Sequence, residues 1–164
     1  MQPPRILDRP AFAIAGLKTY ISGPDNSQFA QFWERCQSNG LFPRFQALTG
    51  MNPGPQTGGA TLGVSRVEKD PARRDFDYMI AVEVPIATPV EELEVYNVPA
   101  CRWAVFGCRG CLPDALVEAE IYAFSQWLPS SGYKHAHAPE MEVYPPAEDG
   151  DTTCEFWLPL EAIK

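Results

Sequence analysis

The sequence predicts an α+β fold made of two βαββ units that are related by a pseudo-two-fold axis. With 164 residues, the chain is long enough for one domain with a substantial core. The order β-α-β-β is recognised over residues 10–85 and again over residues 93–160. Pro85 and Pro159 end the last strand of each unit. We therefore expect residues 1–164 to form a single domain, whose antiparallel sheet carries two helices on one side and a ligand cleft on the other.

The first unit opens with a strand, Pro10–Lys18, whose small residues indicate that another element packs closely against it. Asp25 or Asn26 is the expected N-cap of a helix that runs to about Ser38, and Gly40 ends that helix. The remaining predicted segments of this unit are a loose lead-in (residues 1–9), a loop rich in Pro, Gly and Asn (residues 43–59) and two strands (Ala60–Val67 and Phe76–Val84). Whether that loop covers the cleft is left open.

The second unit repeats this order of secondary-structure elements, but its amino-acid sequence does not repeat that of the first unit. Leu93–Phe106 holds strand residues, which are interrupted at Val98-Pro99-Ala100. Pro113 lies near the first turn of a helix that Pro129 and Gly132 end. The predicted strands after this helix are Met141–Tyr144 and Thr152–Leu160.

Alternation along Thr152–Leu160 places its side chains on two faces. Glu155 and Trp157 share one face, while Phe156 and Leu158 share the other and can pack on a core. A carboxylate in the middle of a strand is costly to bury unless something pairs with it. Glu155 is therefore either solvated or lines a pocket that receives a cation or a hydrogen-bond donor, and we favour the pocket.

The same alternation extends the predicted pocket to the first unit. When the prolines that end the two units are matched, Glu83 aligns with Trp157 and Ala81 aligns with Glu155. We expect all four residues to face the cleft. Tyr78 alternates with Glu83 along its strand, which points it toward the helices.

Composition and charge exclude several classes of protein. A nucleic-acid-binding protein needs a basic surface that contacts the phosphate groups. The net charge of −8 and the pI near 4.7 indicate no such surface, so no nucleic-acid partner is expected. No apolar run is long enough for a membrane span, and the N-terminus has no signal-peptide core. These features predict a cytoplasmic protein without membrane contact. The acidic balance favours a neutral or cationic small ligand.

The cysteines do not predict a disulfide framework, because their number is odd (five) and no secretion signal is present. Cys108-Arg109-Gly110-Cys111 precedes a helix, where a C-x-x-C sequence can support redox work or zinc binding. The alternative is two ordinary cysteines in a turn. We favour this alternative because a single C-x-x-C lacks a second pair. His135 and His137 could complete a metal site, but they lie in a loop before a strand and we interpret them as surface histidines, so we expect neither a metal nor a cofactor.

Five segments resemble motifs of a known family in their order along the chain. They read DFDYMIAVEV (75–84), VPACRWAVF (98–106), WLPSSGY (127–133), EVY (142–144) and EFWLP (155–159). They resemble the GyrI-like (gyrase-inhibitor-like) domain, which is also the effector-binding domain of AraC-type and MerR-type transcription regulators. The resemblance covers roughly residues 60–164. Cys101 departs from the glycine that the family often has, and no DNA-binding domain is recognised before the first strand.

The resemblance implies the tandem βαββ fold and a cleft that binds small aromatic compounds, often cationic ones. In this family a glutamate on the last strand commonly meets the charge of the ligand, and Glu155 holds that position. The implied partner is a small amphipathic molecule, in a transcription-regulation or gyrase-inhibitor-like role. The gyrase-inhibitor branch implies a protein partner as well. The candidate ligand-binding residues are Glu155, Trp157, Glu83, Trp103, Tyr78, Tyr122, Trp127 and Tyr144.

Two alternatives remain open at this point. Some GyrI-like proteins hydrolyse strained electrophiles such as cyclopropanoid natural products, and Glu155 would then be the catalytic residue that activates water. The other alternative is an interaction protein without a ligand, which a cleft filled by its own side chains would support.

Overall fold

A computed structural model describes residues 2–70, 72, 75–87, 89–145 and 152–163, so Met1 and Lys164 of the predicted domain lie outside it. Within these residues nine strands form one antiparallel sheet, three helices pack on it, and no helix is long and apolar enough to cross a bilayer. The strands are β1 (Arg5–Arg9), β2 (Phe12–Ile21), β3 (Thr61–Arg66), β4 (Phe76–Val84), β5 (Glu94–Val98), β6 (Cys101–Arg109), β7 (Tyr133–His135), β8 (Glu140–Tyr144) and β9 (Thr152–Ala162). The helices are α1 (Ser27–Ser38), α2 (Leu41–Met51) and α3 (Asp114–Tyr122), which continues through a π-helical turn (Ala123–Trp127) and a final turn (Leu128–Ser130).

The sheet closes on itself. Its strand order is β1-β6-β9-β8-β3-β4-β2-β5, with β7 paired to the end of β9. β1 leads into β2 through Pro10 and Ala11, and β5 leads into β6 through Pro99 and Ala100. Because β1 pairs with β6 and β2 pairs with β5, the two ends of the order adjoin and the strands form a ring. The ring has an inner face and an outer face, and the helices cover the outer face.

The inner face is filled by apolar side chains. This inner cluster consists of Phe12, Ile14, Ala60, Leu62, Val64, Met79, Ala81, Val98, Trp103, Val105, Met141, Val143 and Trp157. On the outer face, α1 and α2 pack over β4, while α3 packs over β6 and β9. The predicted alternation in β4 is confirmed, since Tyr78 and Ile80 lie under the helices and Met79 and Ala81 lie inside. The α+β class is confirmed as well.

Residues 1–9 were predicted as a loose lead-in, and this prediction is wrong for the segment that forms β1. Arg5–Arg9 pairs with β6, with Arg5 opposite Val105 and Arg9 opposite Cys101. Four of its five side chains are polar or largely exposed, which hides the alternation that reveals a strand. The hydrogen-bonded partner strand therefore determines the conformation of this segment. The short strand β7 was not predicted either.

The predicted loop at residues 43–59 is wrong in its first half, where the chain forms α2. Gly40 ends α1 and adopts a left-handed φ of 83°, so the next helix can start at once. Pro43 lies in the first turn of α2, where a backbone N–H has no helical partner and proline is tolerated. Phe45 and Leu48 then pack against the sheet. The helix is stabilised by this tertiary packing more than by its own composition.

Candidate functional site

A carboxylate lies on the outer face where the two βαββ units join. Glu142 is on β8, which belongs to the second unit and pairs with β3 of the first. Its opposite residue on β3 is Gly63. Tyr144 lies two residues further along β8 and therefore shares the face of Glu142. The seam between the units thus brings together side chains that are far apart in sequence.

Two phenols donate hydrogen bonds to this carboxylate. The hydroxyl of Tyr144 lies 2.5 Å from Oε1 of Glu142, and the hydroxyl of Tyr78 lies 3.2 Å from each carboxylate oxygen. The indole Nε1 of Trp33, on α1, donates to the hydroxyl of Tyr78 over 3.0 Å. Within the described residues, the hydrogen-bonding partners of Glu142 are therefore neutral donors.

Aromatic rings from α1 and α2 form walls beside the carboxylate. The Trp33 ring stacks on Phe42 with centroids 5.9 Å apart, and it meets Tyr144 edge to face at 5.4 Å. Phe29 meets Tyr78 edge to face at 4.9 Å. Tyr78 is fully buried, whereas the other four rings and Glu142 are partly exposed. We call Glu142, Tyr78, Tyr144, Trp33 and Phe42 the seam site.

Gly63 makes the room that the seam site needs. A Cβ atom at this position would lie 2.3 Å from the Tyr78 hydroxyl and 3.0 Å from Oε1 of Glu142. Only a residue without a side chain allows the phenol and the carboxylate to meet above β3.

The electrostatics of the site follow from its enclosure. Burial raises the pKa of Glu142, and the nearby Glu140 charge adds to this, while the hydrogen bonds from Tyr144 and Tyr78 act in the opposite direction. Burial and the Glu142 charge also raise the pKa of both phenols, so they remain neutral donors. A cation placed between the rings would stabilise the ionised carboxylate that burial disfavours.

Glu155 and Trp157 do share a face, the inner one, but Glu155 is already paired. Its Oε2 lies 2.7 Å from Nη2 of Arg5, and its Oε1 accepts a 3.1 Å hydrogen bond from Nε1 of Trp157. The carboxylate borders an open groove of about 520 Å³ whose lining includes Arg109 and Glu118. The groove is therefore mixed in charge, and its lining within the described residues includes no aromatic side chain.

The remaining predicted aromatic residues make their ring contacts with residues outside the seam site. Trp103 and Trp157 belong to the inner cluster, with ring centroids 5.7 Å apart and exposed fractions of 0% and 3%. Tyr122 and Trp127 pack edge to face on Phe106 beneath α3. Of the eight candidates, the structure thus brings Tyr78 and Tyr144 together.

Glu83 holds the chain segment that follows α2. Its Oε1 accepts hydrogen bonds from the backbone N–H and hydroxyl of Thr57, both at 2.8 Å, and from the N–H of Gln56 at 3.1 Å. Gly54, with a φ of 85°, lies directly over the carboxylate. This part of the predicted loop is therefore fastened to the inner face of β4.

Three residues of the seam site were not among the candidates from sequence: Glu142, Trp33 and Phe42. The EVY segment contained the signal for Glu142, because a glutamate two residues before Tyr144 must share its face. Nothing local marks Trp33 and Phe42, which reach the site through the packing of two helices. No group of three or more metal-ligating side chains lies together in the described part of the chain.

Comparison with known sequences adds two findings. A sequence profile described as the GyrI-like small molecule binding domain matches residues 2–161. The transcriptional regulator BrlR of Pseudomonas aeruginosa is 28% identical over 141 residues, which are 85% of this chain and 47% of BrlR. The chain thus spans about half the length of this relative.

Two solved structures share the fold. SAV2435, solved bound to tetraphenylphosphonium, superposes with a TM-score of 0.81 at 21% identity, covering 98% of this chain and 94% of SAV2435. A putative transcription regulation protein from Staphylococcus aureus superposes with a TM-score of 0.69 at 23% identity, covering 97% of this chain and 98% of its own. These two structures thus share the fold of this chain over nearly its whole length.

Proposed function

The chain belongs to the GyrI-like small-molecule-binding family, and from this premise we propose that it captures an amphipathic aromatic cation at the seam site. One observation carries the proposal: the Glu142 carboxylate is enclosed by aromatic rings and contacts neutral phenols rather than a basic side chain among the described residues. A site with these features attracts a ligand that brings both positive charge and apolar surface.

The chemistry of the ligand follows from the walls. Trp33, Phe42 and Tyr144 present ring faces and edges, which favour flat or propeller-shaped aromatic groups. A compact, strongly hydrated cation would lose its water without replacement, whereas a cation with delocalised or shielded charge loses little. SAV2435, whose fold is similar, was solved with such a cation, tetraphenylphosphonium. In a role related to BrlR, binding of this kind would serve as an effector signal for transcription regulation.

A pH titration of binding tests the proposal. We would measure by calorimetry the Kd of tetraphenylphosphonium and of neutral triphenylphosphine oxide at several pH values. Cation binding requires ionised Glu142, so its affinity is full above the raised pKa and falls by about tenfold per pH unit below it. The neutral compound should bind more weakly and with little dependence on pH. Equal affinities, or cation binding that does not change with pH, would contradict the proposal.

Substituting Gly63 tests the place of the site. Gly63→Ala puts a Cβ 2.3 Å from the hydroxyl of Tyr78, whose buried ring cannot move aside freely. We expect the hydrogen bond from Tyr78 to Glu142 to break and the cation affinity to fall by at least about tenfold, or 1.4 kcal/mol. Gly107→Ala is the control, because a Cβ there has no heavy atom within 4 Å. Unchanged binding by Gly63→Ala would place the ligand elsewhere.

The hydrolase alternative relied on Glu155 to activate water. One oxygen of Glu155 is held by Arg5 and the other by the indole of Trp157. These contacts favour an ion pair over a general base, since a base needs a free lone pair directed at the reacting water. We therefore propose binding as the function of this chain.

A further inference from the structure

Two buried cysteines face each other beneath α3. Cys108 on β6 lies directly opposite Cys154 on β9 in the antiparallel register, and their exposed fractions are 1% and 0%. Both belong to the cluster that α3 covers with Ala115 and Ala119. Directly opposed residues of antiparallel strands have Cβ atoms about 4.5–5.5 Å apart, close to the separation that a disulfide spans.

The backbone around the pair is held in place. The hydroxyl of Thr153 donates to the carbonyl oxygens of Cys108 and Gly110, both at 3.1 Å, where the register shifts at the end of β6. This clamp keeps β6 and β9 together at the level of the two thiols. The thiols are free, and a hydrogen bond with Cys108 together with burial raises the pKa of Cys154.

The other cysteines lie in different surroundings. Cys36 lies on the buried face of α1, Cys101 is on the inner face, and Cys111 is exposed in the turn before α3. The groove along the edge of β6 is lined by Gly107 and Arg109, which alternate with Cys108, so the Cys108 side chain points to the opposite face, beneath α3. Access of a small oxidant to the buried pair therefore requires local opening of the cover that α3 forms.

We propose that Cys108 and Cys154 form a redox-active dithiol that a hydroperoxide closes to a cross-strand disulfide. The sulfur of Cys108 attacks the terminal peroxide oxygen, so an S–O bond forms and the O–O bond breaks, and the proton of the Cys108 thiol passes to the leaving oxygen, which departs as an alcohol. The sulfur of Cys154 then attacks the sulfenic sulfur, the S–S bond forms, and water leaves. Two thiols lose two electrons in total, and the hydroperoxide is reduced to alcohol and water. Cys154 neighbours the seam site, because Tyr144 packs against the same cluster beneath α3, but formation of the disulfide does not require the proposed ligand.

The test treats the folded full chain with tert-butyl hydroperoxide, blocks the remaining thiols with iodoacetamide under denaturing conditions, and maps the peptides by mass spectrometry. We expect the intact protein to lose two hydrogen atoms, two fewer cysteines to be alkylated, and one linked peptide pair to contain Cys108 and Cys154. Dithiothreitol should restore both thiols. The triple variant C36S/C101S/C111S should still form the link, and Cys154→Ser should not.

The alternatives have distinct signatures. A disulfide between Cys108 and Cys111 would overturn the proposal and would support redox work by the C-x-x-C pair instead. Five alkylated cysteines after treatment, or sulfinic acid at Cys108 without a link, would overturn it as well. Because the peptide map is made on the wild-type protein, poor folding of a serine variant does not affect the conclusion.

Discussion

Glu142→Gln should abolish high-affinity binding of an aromatic cation while the protein remains folded. The amide keeps an oxygen that can accept from Tyr78 and Tyr144, so the walls of the site are preserved and only the charge is lost. Removing one partner of an enclosed charge pair costs about 2–4 kcal/mol, which weakens binding roughly 30- to 1,000-fold. Calorimetric titration with tetraphenylphosphonium measures this loss directly.

The same substitution should also stabilise the free protein at neutral pH. Burial raises the pKa of Glu142 in the folded state above the value in the unfolded state, so folding favours the neutral carboxyl. This contribution to stability is fully present below the unfolded pKa and is lost as the pH rises through the folded pKa. Glutamine stays neutral throughout. The Tm of Glu142→Gln should therefore exceed that of wild type near pH 7, and the difference should shrink in acid.

Glu155→Gln is the matched control for charge. It removes a carboxylate of the same type that pairs with Arg5 in the groove beside β6. We expect this variant to bind the cation with a Kd within about twofold of wild type, because Glu155 and the seam site lie on opposite faces of the sheet. If Glu155→Gln lost binding and Glu142→Gln retained it, the ligand would bind beside Glu155 on β9 and not at the seam site.

The part of the fold that could be predicted is the part whose signals are local. Period-two alternation in β4 and β9 assigns Tyr78 and Phe156 to one face and Met79 and Trp157 to the other, as observed. The break at Pro99 separates β5 from β6 at the predicted position. Such signals arise from each segment's own pattern, which packing then reinforces.

The sequence does not show which face of the sheet carries the candidate binding site. Alternation shows that Glu155 and Trp157 share a face, but not that this face closes into a ring filled by side chains. Closure depends on the pairing of β3 with β8, a contact between units that no local pattern encodes. The same pairing places Glu142 beside Tyr78, so the geometry of the seam site could be recognised only in the folded chain.

Helix α2 was not predicted, because its composition disfavours a helix while its packing against the sheet stabilises one. Pro43 and Gly50 lower helix propensity, yet Leu41 and Phe45 are buried against β4. Tertiary contact outweighs propensity here. Likewise, nothing in the sequence around Glu83 indicates that Thr57 returns to cap its carboxylate.

Gly16→Ala should be the most destabilising small substitution in the sheet. Gly16 lies on β2 between β4 and β5, and a Cβ there would lie 1.9 Å from the carbonyl oxygen of Ile80 and 2.7 Å from Cα of Ala81. Both atoms are backbone, so the clash cannot be relieved by a side-chain rotation. We expect a loss of about 3 kcal/mol or more, which lowers Tm by roughly 6–12 °C in thermal denaturation.

Gly107→Ala separates this steric effect from the general effect of adding a methyl group to a strand glycine. Gly107 lies on β6, and a Cβ there has no heavy atom within 4 Å. Neither glycine has a positive φ, so alanine is conformationally allowed at both positions and reduces the entropy of the unfolded chain equally. Gly107→Ala should therefore match wild type or exceed it by up to about 1 kcal/mol. If both variants behaved alike, the close approach of β2 to β4 would not be the cause, and the small residues of β2 would need another explanation.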